Sequence, residues 1–277
     1  MARKILNDGP ILKAKGRNPI ISFDRLRMYF GEPLVIDFED LKGVITVYSP
    51  TIGDIIEFGE RRFYQTLTTL TTNTTANRLM LWDAGIDWNE ISDFELFSML
   101  IQTVDQEVSK LFFGEVDITK FERMARMKDD KQELILYNQE SDIEINERAY
   151  FYISQYLRAI FNYYPEEKLT DSGYLKKWYI DADKRQKKLD EEMAIKKGSD
   201  FSSAFQAQIS SFISHPGTKY KLRELKEVGV CEFFDTLQRL QIYESATACM
   251  KGMYSGFVDG KKIKPEDYNF MREIKNK

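Results

Sequence analysis

The stretch SPTIGDIIEFGERRFYQTLTTL, residues 49–70, predicts an amphipathic helix on which the fold is built. Pro50 ends the segment before it, and Thr51 is a suitable N-cap with Asp54 as its acidic partner three residues on. The apolar residues of the stretch fall close to one helical face: Ile52, Ile55, Ile56, Phe63, Leu67 and Leu70. The sequence therefore predicts one helix over residues 51–70, interrupted afterwards by the polar run 71–75.

The two glycines of this stretch raise the question of a phosphate-binding loop. Gly53 and Gly59 have the wrong spacing for one, and no Lys-Ser or Lys-Thr follows them. The helix start also carries Asp54, whose charge repels a phosphate. We expect Gly59 to lie in the middle of the helix, where a neighbouring helix crosses closely. The stretch therefore predicts a structural helix and no anion site.

The segments around this helix predict a mainly α-helical fold. Residues 34–38 and 44–48 read as two short strands, and residues 133–145 as a β-hairpin. Ser92 and Glu95 form a capping box at a second helix, and Gly114 ends the apolar stripe that follows it. Further helices are predicted over residues 146–164, 173–197, 202–214, 230–255 and 264–274. The expected architecture is a helical bundle-like body with a short N-terminal β element and one β-hairpin.

Three regions are predicted along the chain: a basic extended arm (1–32), a mostly helical region with short strands (33–165) and a C-terminal helical region (172–277). Packing of the two helical regions as one body stays open at this point. The arm has Gly-Pro and Asn-Pro turns and no helical period. Its bases are the first candidate partner-binding residues: Arg3, Lys4, Lys13, Lys15 and Arg17. We expect such an arm to become ordered only against an acidic partner surface.

Composition places the chain among ordinary globular proteins. Its 277 residues are 43 % hydrophobic and 30 % charged, with a formal net charge of −4, which does not favour nucleic-acid or membrane binding. Neither a signal peptide nor an apolar run of membrane-spanning length is predicted. Cys231 and Cys249 are five helical turns apart, about 27 Å, so they cannot bridge. They read as small buried thiols in a reducing compartment.

Residues of catalytic type do not group into a recognisable site. His215 is the only histidine, and its setting before Pro-Gly predicts a residue that caps a helix. Four acids between residues 83 and 93 have no calcium-loop spacing, so capping and solvation explain them better: Asp83, Asp87, Glu90 and Asp93. Trp82 and Trp88 could stack nucleic-acid bases, but packing against the core is the favoured role. The sequence predicts no enzyme, no metal and no cofactor.

The charged helix 173–197 carries a narrow apolar seam. The seam comprises Leu175, Trp178, Ala182, Leu189 and Met193. One interpretation is a solvated helix with one buried edge, which Arg185 favours because it breaks the seam. The other is a coiled-coil or partner-binding arm, for which Trp178 and Met193 are the candidate contact residues.

Several segments together resemble proteins from the tail modules of bacteriophages of Gram-positive bacteria. They are SPTIGDIIEFGERRFYQTL, GIDWNEISDFELF, SSFISHPGTKYKLREL, EFFDTLQRLQIYESATACMKGMYSG and DGKKIKPEDYNFM. The resemblance covers residues 33–113 and 202–272 and implies a tail assembly chaperone or a tail and baseplate morphogenesis protein. It implies binding to other tail proteins, the tape-measure protein among them, in the host cytoplasm during assembly.

Two other functions stay open at this point. The length of the chain, its basic arm and its charged helix favour a structural virion protein of the tail or baseplate, and homo-oligomerisation is compatible with either role. A nucleic-acid-associated phage protein is the weaker alternative, because the basic arm has few aromatic residues to stack on bases.

Overall fold

The computed structural model of the chain describes residues 21–128, 131–197, 203–257 and 259–274. Within these ranges eleven α-helices and two small antiparallel sheets are present, which confirms the predicted mainly α fold. The helices are α1 (Arg25–Tyr29), α2 (Ile52–Phe58), α3 (Glu60–Thr71), α4 (Arg78–Asp83), α5 (Asp93–Leu100), α6 (Gln106–Phe113), α7 (Glu147–Phe161), α8 (Gly173–Lys197), α9 (Ala204–Ser214), α10 (Val230–Tyr254) and α11 (Pro265–Tyr268). The strands are β1 (Leu34–Ile36), β2 (Ile45–Val47), β3 (Glu122–Lys128), β4 (Lys131–Asn138) and β5 (Ile143–Ile145).

The stretch 49–70 forms two helices instead of the one predicted. The capping box is confirmed: the Asp54 N–H donates to Thr51 Oγ1 at 3.2 Å, and the Thr51 N–H donates to Asp54 Oδ2 at 2.6 Å. Gly59 separates α2 from α3 with a φ of +85°, a conformation that favours glycine. A Cβ at Gly59 would meet no atom within 4 Å. The close helix crossing predicted at Gly59 is therefore wrong, because no neighbouring segment of the described residues approaches this position. The positive φ of the backbone is what requires a glycine here.

Gly53 is the glycine at which two segments approach closely. A Cβ built on it would lie 2.6 Å from the Lys226 carbonyl oxygen. Lys226 belongs to the short 3₁₀ turn Glu224–Glu227, which precedes α10. The Ile52 N–H donates to the Val228 carbonyl at 2.9 Å in the same junction. The start of α2 is thus fixed against the C-terminal part of the chain.

One large hydrophobic core joins the two predicted helical regions. The ring of Phe63 on α3 lies 5.5 Å from that of Phe112 on α6 and 5.7 Å from that of Phe161 on α7. The same cluster includes Phe212 and Phe233 of α9 and α10, whose rings are 5.0 Å apart. The boundary predicted between residues 165 and 172 therefore does not divide this core.

The N-terminal region from residue 21 onward is folded against this core. Ile21 and Phe23 are 5 % and 8 % exposed, and α1 follows them. The Phe23 ring contacts that of Tyr156, whose hydroxyl donates to the Glu32 carbonyl at 2.7 Å. An extended arm reaching residue 32 is therefore wrong over residues 21–32. Residues 1–20, and with them the five basic arm residues, lie outside the described part of the chain.

The polar run after α3 is buried, which the sequence did not indicate. Arg158 of α7 is 4 % exposed. Its Nε donates to the Thr71 carbonyl at 2.8 Å and its Nη2 to the Thr72 carbonyl at 2.9 Å. The Thr74 N–H donates to Asp93 Oδ1 at 2.9 Å. This turn thus connects the ends of α3, α5 and α7 inside the body.

Both predicted β elements are present, and one of them is larger than expected. β1 pairs with β2 as an antiparallel ladder, and β4 pairs with β5 as the predicted hairpin. The strand β3 was not predicted; it pairs with β4 in the order β3–β4–β5. Its sequence ERMARMK has charged residues at both ends and no clear apolar alternation, so the period of 2 is hidden.

Candidate partner-binding surface

The helix α8 is attached to the body through its N-terminal half. Ile180 is 2 % exposed and belongs to a second hydrophobic cluster with Leu81, Trp88 and Leu96. Arg78 Nε of α4 donates to Asp183 Oδ2 at 2.6 Å, and Lys176 forms an ion pair with Asp87. The pKa of Asp87 is lowered overall. Burial of the carboxylate acts to raise it, but the hydrogen bonds from Lys176 and from the Asn89 N–H together outweigh the effect of burial. These contacts fix the orientation of α8.

The C-terminal half of α8 is exposed along its whole described length. Every residue from 184 to 196 is exposed to solvent, and at 1.5 Å per residue this half is about 20 Å long. An ion pair at 3.8 Å between Lys184 and Asp83 lies at its beginning, and both side chains are more than half exposed. Such an ion pair contributes little to stability. Residues 184–196 are therefore solvated as predicted, but without the buried edge that this interpretation included.

Four large apolar side chains form a stripe on the outer side of α8. Leu175, Trp178, Leu189 and Met193 are between 40 % and 52 % exposed, and none belongs to either hydrophobic cluster of the described residues. At about 100° per residue they lie within an arc of roughly 60°, and Ile180 lies nearly opposite. We call these four residues the α8 stripe. It extends over about 27 Å.

The side of α8 that is buried against the body is therefore not the side that carries the predicted seam. The predicted seam comprises Leu175, Trp178, Ala182, Leu189 and Met193. The buried contact is instead made by Ile180, which the seam did not contain. Ile180 was missed because a single apolar residue among charged ones gives no periodic signal.

A groove of about 710 Å³ lies between α8 and the body on another side of the helix. Its walls include Tyr163 and Glu166 of the body, and α8 contributes Asp183, Gln186, Lys187, Asp190, Glu191 and Ala194. No residue of the α8 stripe lines it. Apolar residues such as Leu79 and Pro165 line it together with the charged ones, and the stripe and the groove are separate surfaces.

The structure places the predicted partner-binding residues in two groups. Trp178 and Met193 are both members of the α8 stripe, 51 % and 47 % exposed, and the Trp178 ring contacts only the neighbouring Tyr179 among the recorded ring contacts of the described residues. The arm residues lie outside the described residues: Arg3, Lys4, Lys13, Lys15 and Arg17. Whether either group binds a partner stays a prediction.

The residues of catalytic type have structural contacts. His215 is the C-cap of α9, as predicted; its Nδ1 accepts the Gly217 N–H at 3.0 Å and its Nε2 lies 3.3 Å from Glu244. Cys231 and Cys249 are free and lie on α10, but both are partly exposed instead of buried. Burial nevertheless raises the pKa of Cys231 to about 11, so this thiol is protonated and weakly nucleophilic at neutral pH.

The acid-rich segment before α5 is likewise structural. Asp83 and Asp87 pair with lysines of α8, and Asp93 accepts a backbone N–H. Trp88 is fully buried and donates its Nε1–H to the Lys168 carbonyl at 3.2 Å, which confirms its packing role. In the described ranges no group of three or more His, Cys, Asp or Glu side chains could hold a metal ion.

Searches for similar proteins gave no match: no protein-family model, no curated protein and no solved structure is similar to this chain. Among the described residues, no helix combines the length and apolar character needed to cross a membrane.

Proposed function

We propose that the protein is a non-enzymatic phage tail morphogenesis factor that binds other tail proteins, and that its partner is the helical tape-measure protein. The observation that carries this proposal is the α8 stripe. It consists of two half-exposed apolar pairs, Leu175 with Trp178 and Leu189 with Met193, which together extend over about 27 Å of a helix whose N-terminal half is attached to the body on the opposite side. The family resemblance of the sequence supplies the identity of the partner.

The shape and chemistry of the stripe suit a helical partner. A convex, narrow row of Leu, Trp and Met side chains offers no concave pocket for a small molecule. It does offer the seam that an amphipathic helix packs against, and Met tolerates partners of varied sequence. Arg185 and Glu192 lie beside the stripe and are exposed. Because these flanking charges have both signs, they do not favour a nucleic acid as the partner.

The test is co-expression with the tape-measure protein, followed by co-purification through a tag on this chain. We expect the double variant Leu189→Asp/Met193→Asp to lose the complex, because two charges would then lie in the apolar contact. The matched control is Ile195→Asp. Ile195 is 81 % exposed on the same helix, about 200° around the axis from Met193. Equal recovery of the partner with the double variant and with the control would refute the proposal.

The emission of Trp178 gives a second, direct readout. Trp178 is half exposed, whereas Trp88 is buried. Binding over the stripe should therefore shift the fluorescence to shorter wavelength, and Trp178→Phe should abolish that shift. A full shift retained by Trp178→Phe would place the partner elsewhere on the molecule.

A structural subunit of the tail or baseplate is the second candidate, and one observation favours it. The end of α10 presents a separate aromatic surface, with Tyr254 88 % and Phe257 92 % exposed. A permanent subunit needs more than one contact with its neighbours. Under this alternative the protein stays in the mature phage particle. Mass spectrometry of purified particles tests whether it is present.

A further inference from the structure

The three-stranded sheet has one covered edge and one open edge. At the β5 edge, the Glu144 N–H donates to the Lys42 carbonyl at 3.0 Å, so the loop before β2 covers that strand. The opposite edge is β3. Among the described residues, no backbone hydrogen bond beyond the β3–β4 ladder is recorded for Arg123, Ala125 or Met127. An open edge of this length is able to pair with another strand.

The register of the sheet fixes which backbone groups face outward. Glu144 is opposite Tyr137, and the outward N–H of Glu144 makes this a non-hydrogen-bonded pair. Tyr137 therefore directs its backbone groups toward β3, where it is opposite Glu122. Since the pattern alternates along an antiparallel ladder, the outward N–H and C=O groups of β3 belong to Arg123, Ala125 and Met127.

The side chains on this edge are mostly exposed, and apolar residues are interspersed with charged ones along it. Met127 is 70 % exposed and Met124 is 46 % exposed, and Arg123 and Ala125 are also exposed. Arg126 is already neutralised within its own chain: its Nη2 lies 2.8 Å from Glu133 and its Nη1 2.7 Å from Glu144. The strand thus has no two consecutive charges of like sign, and the Met124–Ala125 centre does not oppose pairing with another strand.

We propose that the open edge of β3 pairs with β3 of a second copy of this chain, antiparallel, about a two-fold axis at Ala125. In this register Ala125 is opposite itself and Arg123 is opposite Met127 of the other copy. All outward groups of the two strands then find partners, giving about six interchain hydrogen bonds. The two sheets become one continuous sheet, and the contact is isologous as a two-fold dimer requires.

The charge pattern favours a second copy over an unrelated strand. The strand begins with an acid at position 122 and ends with a base at position 128. The antiparallel register centred on residue 125 sets these two positions opposite each other, so the charges are complementary. The same register sets Met124 opposite Arg126, and no like charges are directly opposite, which would destabilise the pair. An unrelated acidic segment would not use this self-complementarity.

Cysteine cross-linking tests the register directly on the full-length chain. Ala125→Cys brings two thiols opposite each other, where Cα atoms about 5.5 Å apart permit a disulfide. Arg123→Cys is the matched control, because the same register separates its two copies by about four residues, roughly 13 Å. The wild-type chain, with Cys231 and Cys249, gives the background. We expect a covalent dimer from Ala125→Cys, none above background from Arg123→Cys, and a dimer again from Arg123→Cys/Met127→Cys.

Sedimentation velocity supplies the second measurement. Ala125→Pro removes an N–H that only the second copy would use, so it should convert the dimer to a monomer. Ala125→Val keeps the N–H and should remain dimeric. A monomeric wild-type chain, a dimeric Ala125→Pro variant, or equal cross-linking at positions 123 and 125 would overturn the proposal. Should Ala125→Pro fail to fold, the cross-linking comparison decides alone.

Discussion

Replacing Arg158 by methionine should remove the group that holds the buried turn after α3. The guanidinium donates to two main-chain carbonyls, those of Thr71 and Thr72, at 2.8 and 2.9 Å. Its Nη2 also lies 3.9 Å from Asp93 Oδ2, and the side chains of Arg158 and Asp93 are only 5 % and 14 % exposed. Methionine fills a similar length but donates no hydrogen bond.

The expected cost follows from these contacts. A hydrogen bond from a charged donor contributes about 1.5–3 kcal/mol, and removing one member of a buried ion pair costs about 3–5 kcal/mol. These effects overlap, so we expect Arg158→Met to lower the free energy of unfolding by about 3–5 kcal/mol. For a chain of this size that corresponds to a decrease of about 5–10 °C in Tm. Arg158→Lys should lose part of this stability, because an ammonium cannot reproduce the fork of the guanidinium.

Urea denaturation followed by circular dichroism measures the effect, with Arg61→Met as the matched control. Arg61 lies on α3 and is exposed, and Arg and Met have similar helix propensities. We expect the control to change stability by less than about 0.5 kcal/mol. An Arg158→Met variant that unfolds at the same urea concentration as Arg61→Met would show that the arginine does not hold the turn.

Two further predictions concern glycines and a thiol. Gly59→Ala should cost about 1–3 kcal/mol through backbone strain at φ +85°, and Gly53→Ala a similar amount through its contact with Lys226. Gly173→Ala, with no neighbouring atom within 4 Å of a Cβ, should be near neutral; equal Tm values for all three would contradict both assignments. Because the folded pKa of Cys231 is raised from 9.0 to about 11, its contribution to stability is present below pH 9 and lost between pH 9 and 11. Cys231→Ala should reduce the fall of unfolding free energy over that range, and an unchanged slope would refute the assignment.

Local signals in the sequence were sufficient for most helices and for their ends. The capping boxes at Thr51 and Ser92 both form, and Gly114 ends α6 with a φ of +62°. These features depend on residues within one turn of each other, so a single sequence contains the necessary information. The same holds for the pairing of β4 with β5 across a polar turn.

Features that depend on distant residues could not be predicted in this way. Gly59 has the spacing of a mid-helix glycine, and only its positive φ reveals that the helix is broken there. The threonine-rich turn reads as a surface loop until Arg158 is placed beside it, 87 residues away in the chain. The strand β3 lacks an apolar period because neither of its faces is buried: residues 122–125 and 127 are exposed. In each case tertiary contacts decide the outcome.

Different sides of α8 carry the residues that attach it to the body and the residues that we propose bind a partner. Ile180, Lys176 and Asp183 attach the helix to the body, and the α8 stripe lies on the other side. None of the four stripe residues belongs to a hydrophobic cluster of the described part of the chain. Each of these side chains keeps between 40 % and 52 % of its surface exposed, and exposed Leu and Trp carry a cost in solubility. An apolar surface that stays half exposed, on a helix whose N-terminal half is attached through the opposite face, is what a partner-binding role requires.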